Sequence, residues 1–214
     1  MNLKKVIGIT GPCCAGKNYI AQILEQRSFP VLDVDKLGHE VIEEKKEILL
    51  ARFGEDLLDP QGFIDRKKLG ARVFGKPKEL AALEGIIHPE VNRKTLEWIN
   101  SRSEKACFIN AALLHRSSAY EILDAIILVH APLFVRMLRA RKRDHLPWTA
   151  IIKRFWSQRK FRYQLLRKKT DIYRVGNSDC CTDSWRFGFK GLFRRNKPKE
   201  RIDEILSLRG ITRV

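Results

Sequence analysis

The chain has 214 residues, of which 44% are hydrophobic, so it can form one domain with a core, or a core domain that carries an inserted subdomain. This composition excludes a disordered chain. The longest apolar runs, such as residues 125–131, are far shorter than the roughly 18 residues that span a bilayer, which predicts a soluble protein with no membrane contact. Five cysteines without a CxxC pattern argue against a disulfide framework or a zinc site and favour the reduced cytoplasm.

The net charge of +17 is distributed unevenly. Residues 136–174 contain 14 Lys/Arg and two acidic residues, and residues 186–214 contain nine Lys/Arg and three acidic residues, whereas the rest of the chain is close to neutral. Such a distribution predicts an anion-binding face in the last third of the chain, for a polyphosphate ligand, a nucleic acid or both.

The first third of the chain reads as a strand, a tight turn, a helix and a second strand. The apolar run 6–10 stops at Gly11, and after Lys17 the apolar residues recur at helical spacing. Residues 29–33 form the second predicted strand. From residue 36 to residue 100 the pattern is mostly helical, with turn signals that include His88-Pro89, which predicts a helical insertion between two strands.

The remaining elements indicate a parallel sheet. Residues 106–114 and 124–131 are continuously apolar, as expected for strands that are covered on both faces. A helix is predicted after Pro132, a second basic helix at about 147–169, a weak strand at 171–175, and a final helix at about 200–208. The fold class is therefore α/β with a doubly wound parallel sheet, with a domain over residues 1–183 and a basic extension over residues 184–214.

One motif, GPCCAGKN at residues 11–18, carries most of the chemical information. Its glycines allow the backbone to wrap a phosphate, the next helix offers its positive N-terminal dipole, and its lysine can bridge the β- and γ-phosphates of ATP. The last position departs from the GxxxxGK[ST] pattern, because it is an amide where a hydroxyl would ligate Mg²⁺. The predicted nucleotide-binding residues are Gly11, Pro12, Cys13, Cys14, Ala15, Gly16, Lys17 and Asn18, of which Asn18 is also the predicted metal ligand.

Two carboxylates, Asp33 and Asp35, follow the second strand, and ligands of open α/β sheets bind beyond the carboxyl ends of the strands. One carboxylate can accept the proton of an attacking hydroxyl, and the other can cap the helix that begins near residue 36. Because Asp33 ends the strand directly, it is the better candidate for the base, and Asp35 for the cap.

Several segments together resemble the dephospho-coenzyme A kinase family of P-loop kinases. The resemblance spans roughly residues 4–183 and identifies the chain as a divergent member. Besides the phosphate loop, it rests on the segments Leu32-Asp33-Val34-Asp35-Lys36-Leu37, Ile86-Ile87-His88-Pro89, Ala111-Ala112-Leu113-Leu114-His115, Arg139-Ala140-Arg141-Lys142-Arg143-Asp144, Arg154 with Gln158, and Asp171 to Asn177. The chain departs from the family pattern at Asn18, at His115, where an acidic residue is usual, and at Gly176, which suggests a weakened kinase.

The resemblance implies transfer of the γ-phosphate of ATP to the 3′-hydroxyl of dephospho-coenzyme A, with Mg²⁺. It implies Asp33 as the base, Lys17 on the triphosphate, and Arg139 and Arg143 on the phosphoryl group in transfer. A lid over about residues 141–160 would bring down arginines and exclude water. The other implied residues are Arg154 and Asn177 for the nucleotide, and Asp35, His88 and Pro89 for the acceptor.

Alternatives remain at several positions. The arginines can form a solvated helix face, and His88 before Pro89 can simply start a helix. Cys13 and Cys14 can serve as redox sensors, since a helix N-terminus lowers a thiol's pKa, although small side chains that fit the loop are the simpler interpretation. Two other functions stay open: a P-loop kinase for another nucleoside or nucleotide, and a nucleic-acid-binding protein that uses the aromatic and basic segment 185–199.

Overall fold

The structure of the chain is a computed structural model, which describes residues 4–114, 118–145, 147–157, 170–178 and 197–211. Five strands and eight α-helices lie within these ranges. The strands are β1 Lys5–Thr10, β2 Val31–Asp33, β3 Ala106–Asn110, β4 Ala125–His130 and β5 Asp171–Gly176. The helices are α1 Lys17–Glu25, α2 Val34–Glu44, α3 Lys46–Phe53, α4 Arg66–Val73, α5 Pro77–Ser101, α6 Leu133–Asp144, α7 Trp148–Ser157 and α8 Pro198–Leu208.

The five strands form one sheet in the order β2-β3-β1-β4-β5, and every pair is parallel. Asn110 at the end of β3 is the register partner of Asp33 in β2 and of Ile9 in β1. The carboxyl ends of β1, β2 and β3 therefore meet at one edge of the sheet. The predicted α/β fold with a doubly wound parallel sheet is confirmed.

Neighbouring strand residues point to opposite sides of the sheet, and helices cover both sides, so both faces are buried. On one side, Ile7 and Ile9 pack with apolar residues of α1 and α8 such as Ile20 and Ile202. On the other side, Val6 and its neighbours in β3 and β4 pack against the end of α5 and the short 3-10 helix Ser118–Ile122. The continuous apolar strands of the sequence follow from this double coverage.

A separate cluster of buried apolar residues holds together the helices between β2 and β3. Val41 of α2, Leu49 of α3, Leu69 of α4 and Val91 of α5 belong to it. These helices agree with the helical character predicted for residues 36–100, while the domain boundaries remain a prediction.

The turn predicted at His88-Pro89 is wrong, because both residues lie inside α5, which continues from Pro77 to Ser101. Proline removes one N–H from the helical ladder and normally ends or kinks a helix. Here Ile87, Val91 and Ile99 are buried along one side of α5, two of them in the cluster with α2. Tertiary packing of the apolar face thus outweighs the local cost of the proline.

The second half of the chain agrees with prediction in element type and differs in length. The strand predicted for residues 106–114 ends at Asn110, and the weak strand at 171–175 is confirmed as β5. Of the predicted helix 147–169, α7 covers residues 148–157, and residues 158–169 lie outside the described residues. So do residues 146 and 158–160 of the predicted lid, and residues 184–196 of the predicted extension. No helix within the described ranges is long and apolar enough to cross a membrane.

Candidate active site

The loop between β1 and α1 adopts a conformation that needs glycine at two places. Gly16 has φ +96°, in the left-handed region, and a Cβ atom there would lie 1.9 Å from Nδ2 of Asn177. A Cβ atom on Gly11 would lie 2.5 Å from the carbonyl oxygen of Val129. Both glycines of the GxxxxGK motif therefore allow the loop to pack closely against the ends of β4 and β5.

Donors from α6 and from the end of β5 hold the carbonyl oxygens of this loop. Arg136 Nε donates to the Cys13 carbonyl at 2.8 Å, and Asn177 Nδ2 donates to the Ala15 carbonyl at 3.1 Å. Arg139 Nη1 lies 3.4 Å from the same Ala15 oxygen. Asn177 is buried, so its contact with the loop is not shared with solvent. Arg139, predicted to act on the phosphoryl group in transfer, and Asn177, predicted to bind the nucleotide, thus both contact the loop itself.

Arg136 is a loop contact that sequence reasoning missed. Its guanidinium also lies 4.6 Å from the ring centroid of Phe155 in α7, so one side chain joins the phosphate loop to the next helix. Burial lowers the pKa of Arg136. The signal in the sequence was its position: Arg136, Arg139 and Arg143 recur at spacings of three and four in α6, which places them on one face of the helix.

Lys17 is in contact with the carboxyl edge of β2. Its Nζ atom lies 2.6 Å from Oδ2 of Asp35 and 3.2 Å from Oδ1 of Asn18. The other carboxylate oxygen of Asp35 accepts a hydrogen bond from the backbone N–H of Ala112, just beyond β3, at 3.3 Å. The lysine of the phosphate loop and the acidic segment after β2 therefore form one site, as the sequence predicts.

The assignment of Asp35 as the helix cap is wrong, because Asp33 caps α2. Oδ1 of Asp33 accepts hydrogen bonds from the N–H groups of Asp35 at 3.1 Å and Lys36 at 3.2 Å. Asp33 has an extended backbone directly before the first helical residue, which is the geometry of an N-cap. Asp35 lies in the first turn, where its side chain is free to reach Lys17. The role of Asp33 as the base remains a prediction.

Asn110 is a second residue that sequence reasoning missed. It is 1% exposed at the end of β3, and its Nδ2 donates to Oδ1 of Asn18 at 3.1 Å. Its own Oδ1 is buried and has no hydrogen-bond partner among the described residues. A buried carbonyl oxygen without a donor is costly and points to a ligand or ion that satisfies it. The signal was a polar residue that ends an apolar strand, as Asp33 does.

The predicted lid arginines have defined partners. Arg143 donates from Nε and Nη2 to the two carboxylate oxygens of Asp144, at 2.6 and 3.0 Å. This hydrogen bonding raises the pKa of Arg143 above its ordinary value. Arg141 lies over the ring of Trp148, 5.7 Å from its centroid, and Arg154 belongs to α7. The action of Arg143 on a phosphoryl group, the role of Arg154 and the closure of a lid remain predictions.

Of the acceptor-site residues predicted from the family, Asp35 contacts Lys17 of the loop, whereas His88 and Pro89 lie in α5. His88 is half-buried and Pro89 is exposed, both in the middle of α5. Because α5 packs against α2, which begins beside Asp35, the two residues belong to the helices next to the site. Their contact with an acceptor remains a prediction. His115 and Gln158, which belong to the family segments, lie outside the described residues.

The thiols of Cys13 and Cys14 contact each other within the loop, with 3.6 Å between the sulfur atoms. Both side chains are half-buried. The pKa of the Cys14 thiol is raised above its ordinary value, mainly because of the hydrogen bond with Cys13 and also because of burial. The lowered thiol pKa on which the alternative interpretation as a redox sensor is based is therefore not found for Cys14.

Comparison with known proteins agrees with this geometry. The profile of the dephospho-CoA kinase family matches residues 5–174. The dephospho-CoA kinase of Wolinella succinogenes is 35% identical over 160 residues, which cover 73% of this chain and 79% of that protein. The structure of the dephospho-CoA kinase from Campylobacter jejuni superposes with a TM-score of 0.66 at 25% identity, covering 98% of this chain and all of that one. A Thermus thermophilus crystal structure has a TM-score of 0.77 at 28% identity, with 98% of each chain covered.

The range that matches the family includes the phosphate loop, the acidic segment after β2, and the helix that carries Arg139 and Arg143. It ends within β5, so it includes at least part of every strand of the sheet. The chain belongs to the dephospho-CoA kinase family.

Proposed function

We propose that this protein transfers the γ-phosphate of ATP to the 3′-hydroxyl of dephospho-coenzyme A. The observation that carries the proposal is the contact between Lys17 of the phosphate loop and Asp35 of the acidic segment. A kinase has to bring the phosphate donor and the acceptor hydroxyl together, and this contact joins the two parts of the chain that would hold them. Membership in the family supplies the identity of the acceptor.

The binding of ATP would change the contacts of Lys17. Its ammonium group is held by Asp35 and Asn18, and a triphosphate in the loop offers it more negative charge than either. When Lys17 turns to the β- and γ-phosphates, Oδ2 of Asp35 and one lone pair of the Asn18 carbonyl become available. The same movement therefore prepares two oxygen atoms at the edge of the sheet for other partners.

These oxygens fit Mg²⁺, which prefers carboxylate and amide oxygens and keeps several water ligands. The buried Oδ1 of Asn110, which has no donor among the described residues, adds a third oxygen at the same place. We propose that Asn18, Asn110 and Asp35 hold the ion, directly or through its water molecules. Bound Mg²⁺ neutralises charge on the phosphates, and Asn18 is the position where the usual hydroxyl ligand is missing.

Asp33 is our proposed general base. The N-cap uses its Oδ1, and Oδ2 makes no hydrogen bond within the described residues. In contrast, Asp35 uses both oxygens, for Lys17 and for the Ala112 N–H. Asp33 can thus stay fixed by its cap while Oδ2 accepts the proton of the 3′-hydroxyl. The cap then positions the base, so that its position is set before substrate binds.

Arg139 and Arg143 are our proposed contacts for the phosphoryl group in transfer. Both lie on the face of α6 that carries the loop contacts, and a loose transition state spreads negative charge over the oxygens they would meet. Arg143 would have to exchange its carboxylate partner Asp144 for phosphate oxygens. Movement of α6 and α7 as a lid would accompany this exchange.

The test is a panel of acceptors incubated with the protein and magnesium ATP. The panel contains dephospho-coenzyme A, adenosine, AMP and other nucleosides, and mass spectrometry detects a product that has gained one phosphate. We expect phosphorylation of dephospho-coenzyme A alone. Phosphorylation of a nucleoside or nucleotide instead would favour the other P-loop kinase function. The nucleic-acid function depends mostly on residues outside the described ranges and stays a prediction of the sequence, as does the cytoplasmic location.

A further inference from the structure

The phosphate loop contains two adjacent cysteines whose sulfur atoms are in contact. In extended backbone, neighbouring side chains point to opposite sides. Cys14 instead has φ +58°, in the left-handed region, and its sulfur lies 3.6 Å from that of Cys13. A side chain with a Cβ atom is strained in this conformation, and such strain is concentrated at functional positions.

We propose that Cys13 and Cys14 form a modification site: a vicinal dithiol that closes reversibly to a disulfide and thereby prevents nucleotide binding. The proposal rests on the nucleotide-binding part of the proposed function and is independent of the acceptor. Both thiols are half-buried at the surface of the loop, so a small oxidant can reach them.

The reaction is a two-electron oxidation by a peroxide. The Cys13 thiolate attacks one oxygen of hydrogen peroxide, the O–O bond breaks, and Cys13 becomes a sulfenic acid as hydroxide leaves and is protonated to water. The sulfur of Cys14 then attacks the Cys13 sulfur, the S–O bond breaks, and the Cys14 proton leaves with the oxygen as a second water. Two thiols and one peroxide thus give one disulfide and two waters.

The geometry assigns the order of the two thiols. The pKa of Cys14 is raised, chiefly by its hydrogen bond with Cys13, so Cys14 keeps its proton longer and acts second. Arg136 donates to the Cys13 carbonyl, which keeps a permanent positive charge beside the first thiol.

Closure would distort the loop. The two sulfurs must approach by about 1.5 Å to reach the S–S bond length of about 2.05 Å. Arg136 holds the carbonyl of the peptide that joins the two cysteines, and Arg139 holds the Cys14 carbonyl, which belongs to the next peptide. The peptide between the cysteines cannot rotate without breaking its contact with Arg136, and the backbone that would wrap the phosphates moves with it.

Such a disulfide should also be easy to reduce. Adjacent Cα atoms are about 3.8 Å apart, shorter than the roughly 4.4 Å at which ordinary disulfides begin. The ring is therefore strained, and strained disulfides are the labile ones. A dithiol reductant is expected to restore the open loop, which makes the modification a switch rather than damage.

The experiment uses the full chain with Cys180→Ser and Cys181→Ser, because this second adjacent pair could oxidise in the same way. The remaining cysteine, Cys107, is buried, and burial raises its pKa to about 11. The protein is treated with hydrogen peroxide. The mass of the tryptic peptide of residues 6–17 is then determined by mass spectrometry, and ATP binding is measured by calorimetry. We expect a loss of two hydrogens from this peptide, at least tenfold weaker ATP binding, and recovery with dithiothreitol.

The matched controls are Cys13→Ser and Cys14→Ser, each compared with its own untreated form. Peroxide should leave the ATP affinity of Cys13→Ser unchanged, because the thiol that attacks first is absent, and neither variant should form a disulfide in this peptide. Bound ATP should slow oxidation of the parent protein. A disulfide in the peptide with unchanged ATP affinity would overturn the proposal. So would gain of oxygen without a disulfide, or an equal loss of affinity in the two single variants. Because the readout is ATP binding, failure to phosphorylate dephospho-coenzyme A would count only against the proposed function.

Discussion

Replacement of Gly16 by alanine tests whether the loop conformation depends on its close contact with β5. The new Cβ atom would lie 1.9 Å from Nδ2 and 3.2 Å from Cγ of Asn177, so the amide has to move. Asn177 then loses its hydrogen bond to the Ala15 carbonyl, which is buried. The backbone is also unfavourable for alanine, because φ at Gly16 is +96°.

The two costs can be separated. Left-handed backbone costs a residue with a Cβ about 1–2 kcal/mol, and a buried amide left without its partner costs about 1–3 kcal/mol. Gly16→Ala should therefore lower the free energy of unfolding by about 2–5 kcal/mol. Gly75 has φ +79°, and a methyl group added there would have no other atom within 4 Å, so Gly75→Ala should cost about 1–2 kcal/mol.

Urea denaturation of the three proteins without ligand measures these differences, and calorimetry measures their affinity for ATP. We expect Gly75→Ala to bind ATP normally and Gly16→Ala to bind it at least tenfold more weakly. The double variant Gly16→Ala/Asn177→Ala removes the clashing amide, so its cost should be smaller than the sum of the two single costs. Equal destabilisation by Gly16→Ala and Gly75→Ala, or strict additivity in the double variant, would refute the role of the contact.

Three further predictions concern the chemistry of the site. Lys17→Ala should abolish phosphoryl transfer and leave the fold intact, as circular dichroism and an assay would show, whereas the exposed control Lys105→Ala should keep full activity. Asp33→Asn should lower turnover by about 100-fold or more with little change in ATP affinity, measured by steady-state kinetics, and a comparable loss from Asp35→Asn with none from Asp33→Asn would reverse the assignment of the base. Asn18→Thr should lower the magnesium concentration needed for half-maximal activity, because a hydroxyl can reach Mg²⁺ at about 2.1 Å. Identical magnesium titrations for the two proteins would contradict the idea that Asn18 weakens magnesium binding.

Local patterns predicted the parts of the fold that local physics decides. The phosphate loop is recognisable because Gly11, Gly16 and Lys17 stand between an apolar run and an amphipathic helix, and the structure has β1 and α1 on either side. The parallel sheet is recognisable because β3 and β4 are apolar without alternation, which requires cover on both faces.

The errors lie where distant residues decide the outcome. Asp33 and Asp35 both have a side chain that can cap a helix. Asp35 does not do so, because its carboxylate contacts Lys17 and the Ala112 N–H, which lie elsewhere in the chain. Pro89 remains helical because the face of α5 that carries Ile87 and Val91 packs in the core. A single sequence without knowledge of these contacts predicts the local preference, and the tertiary contact overrides it.

The sequence predicted residues of the candidate site, but it did not predict two residues that hold them in place. Arg136 and Asn110 contact the loop and Asn18, and neither belongs to the family segments that the sequence resembles. Both residues act through hydrogen bonds to residues far away in the chain. The periodicity of the sequence shows which face of an element a residue lies on, but it does not identify such a distant partner.

The most direct test of the proposed reaction follows the phosphate from donor to product. ATP labelled in its γ-phosphate is incubated with dephospho-coenzyme A, magnesium and either the natural protein or Lys17→Ala, and the position of the new phosphate is determined by ³¹P NMR and fragmentation. We expect the label on the 3′-hydroxyl with the natural protein and no transfer with Lys17→Ala. Label at another position, or equal transfer by Lys17→Ala, would contradict a phosphate loop that delivers the γ-phosphate to dephospho-coenzyme A.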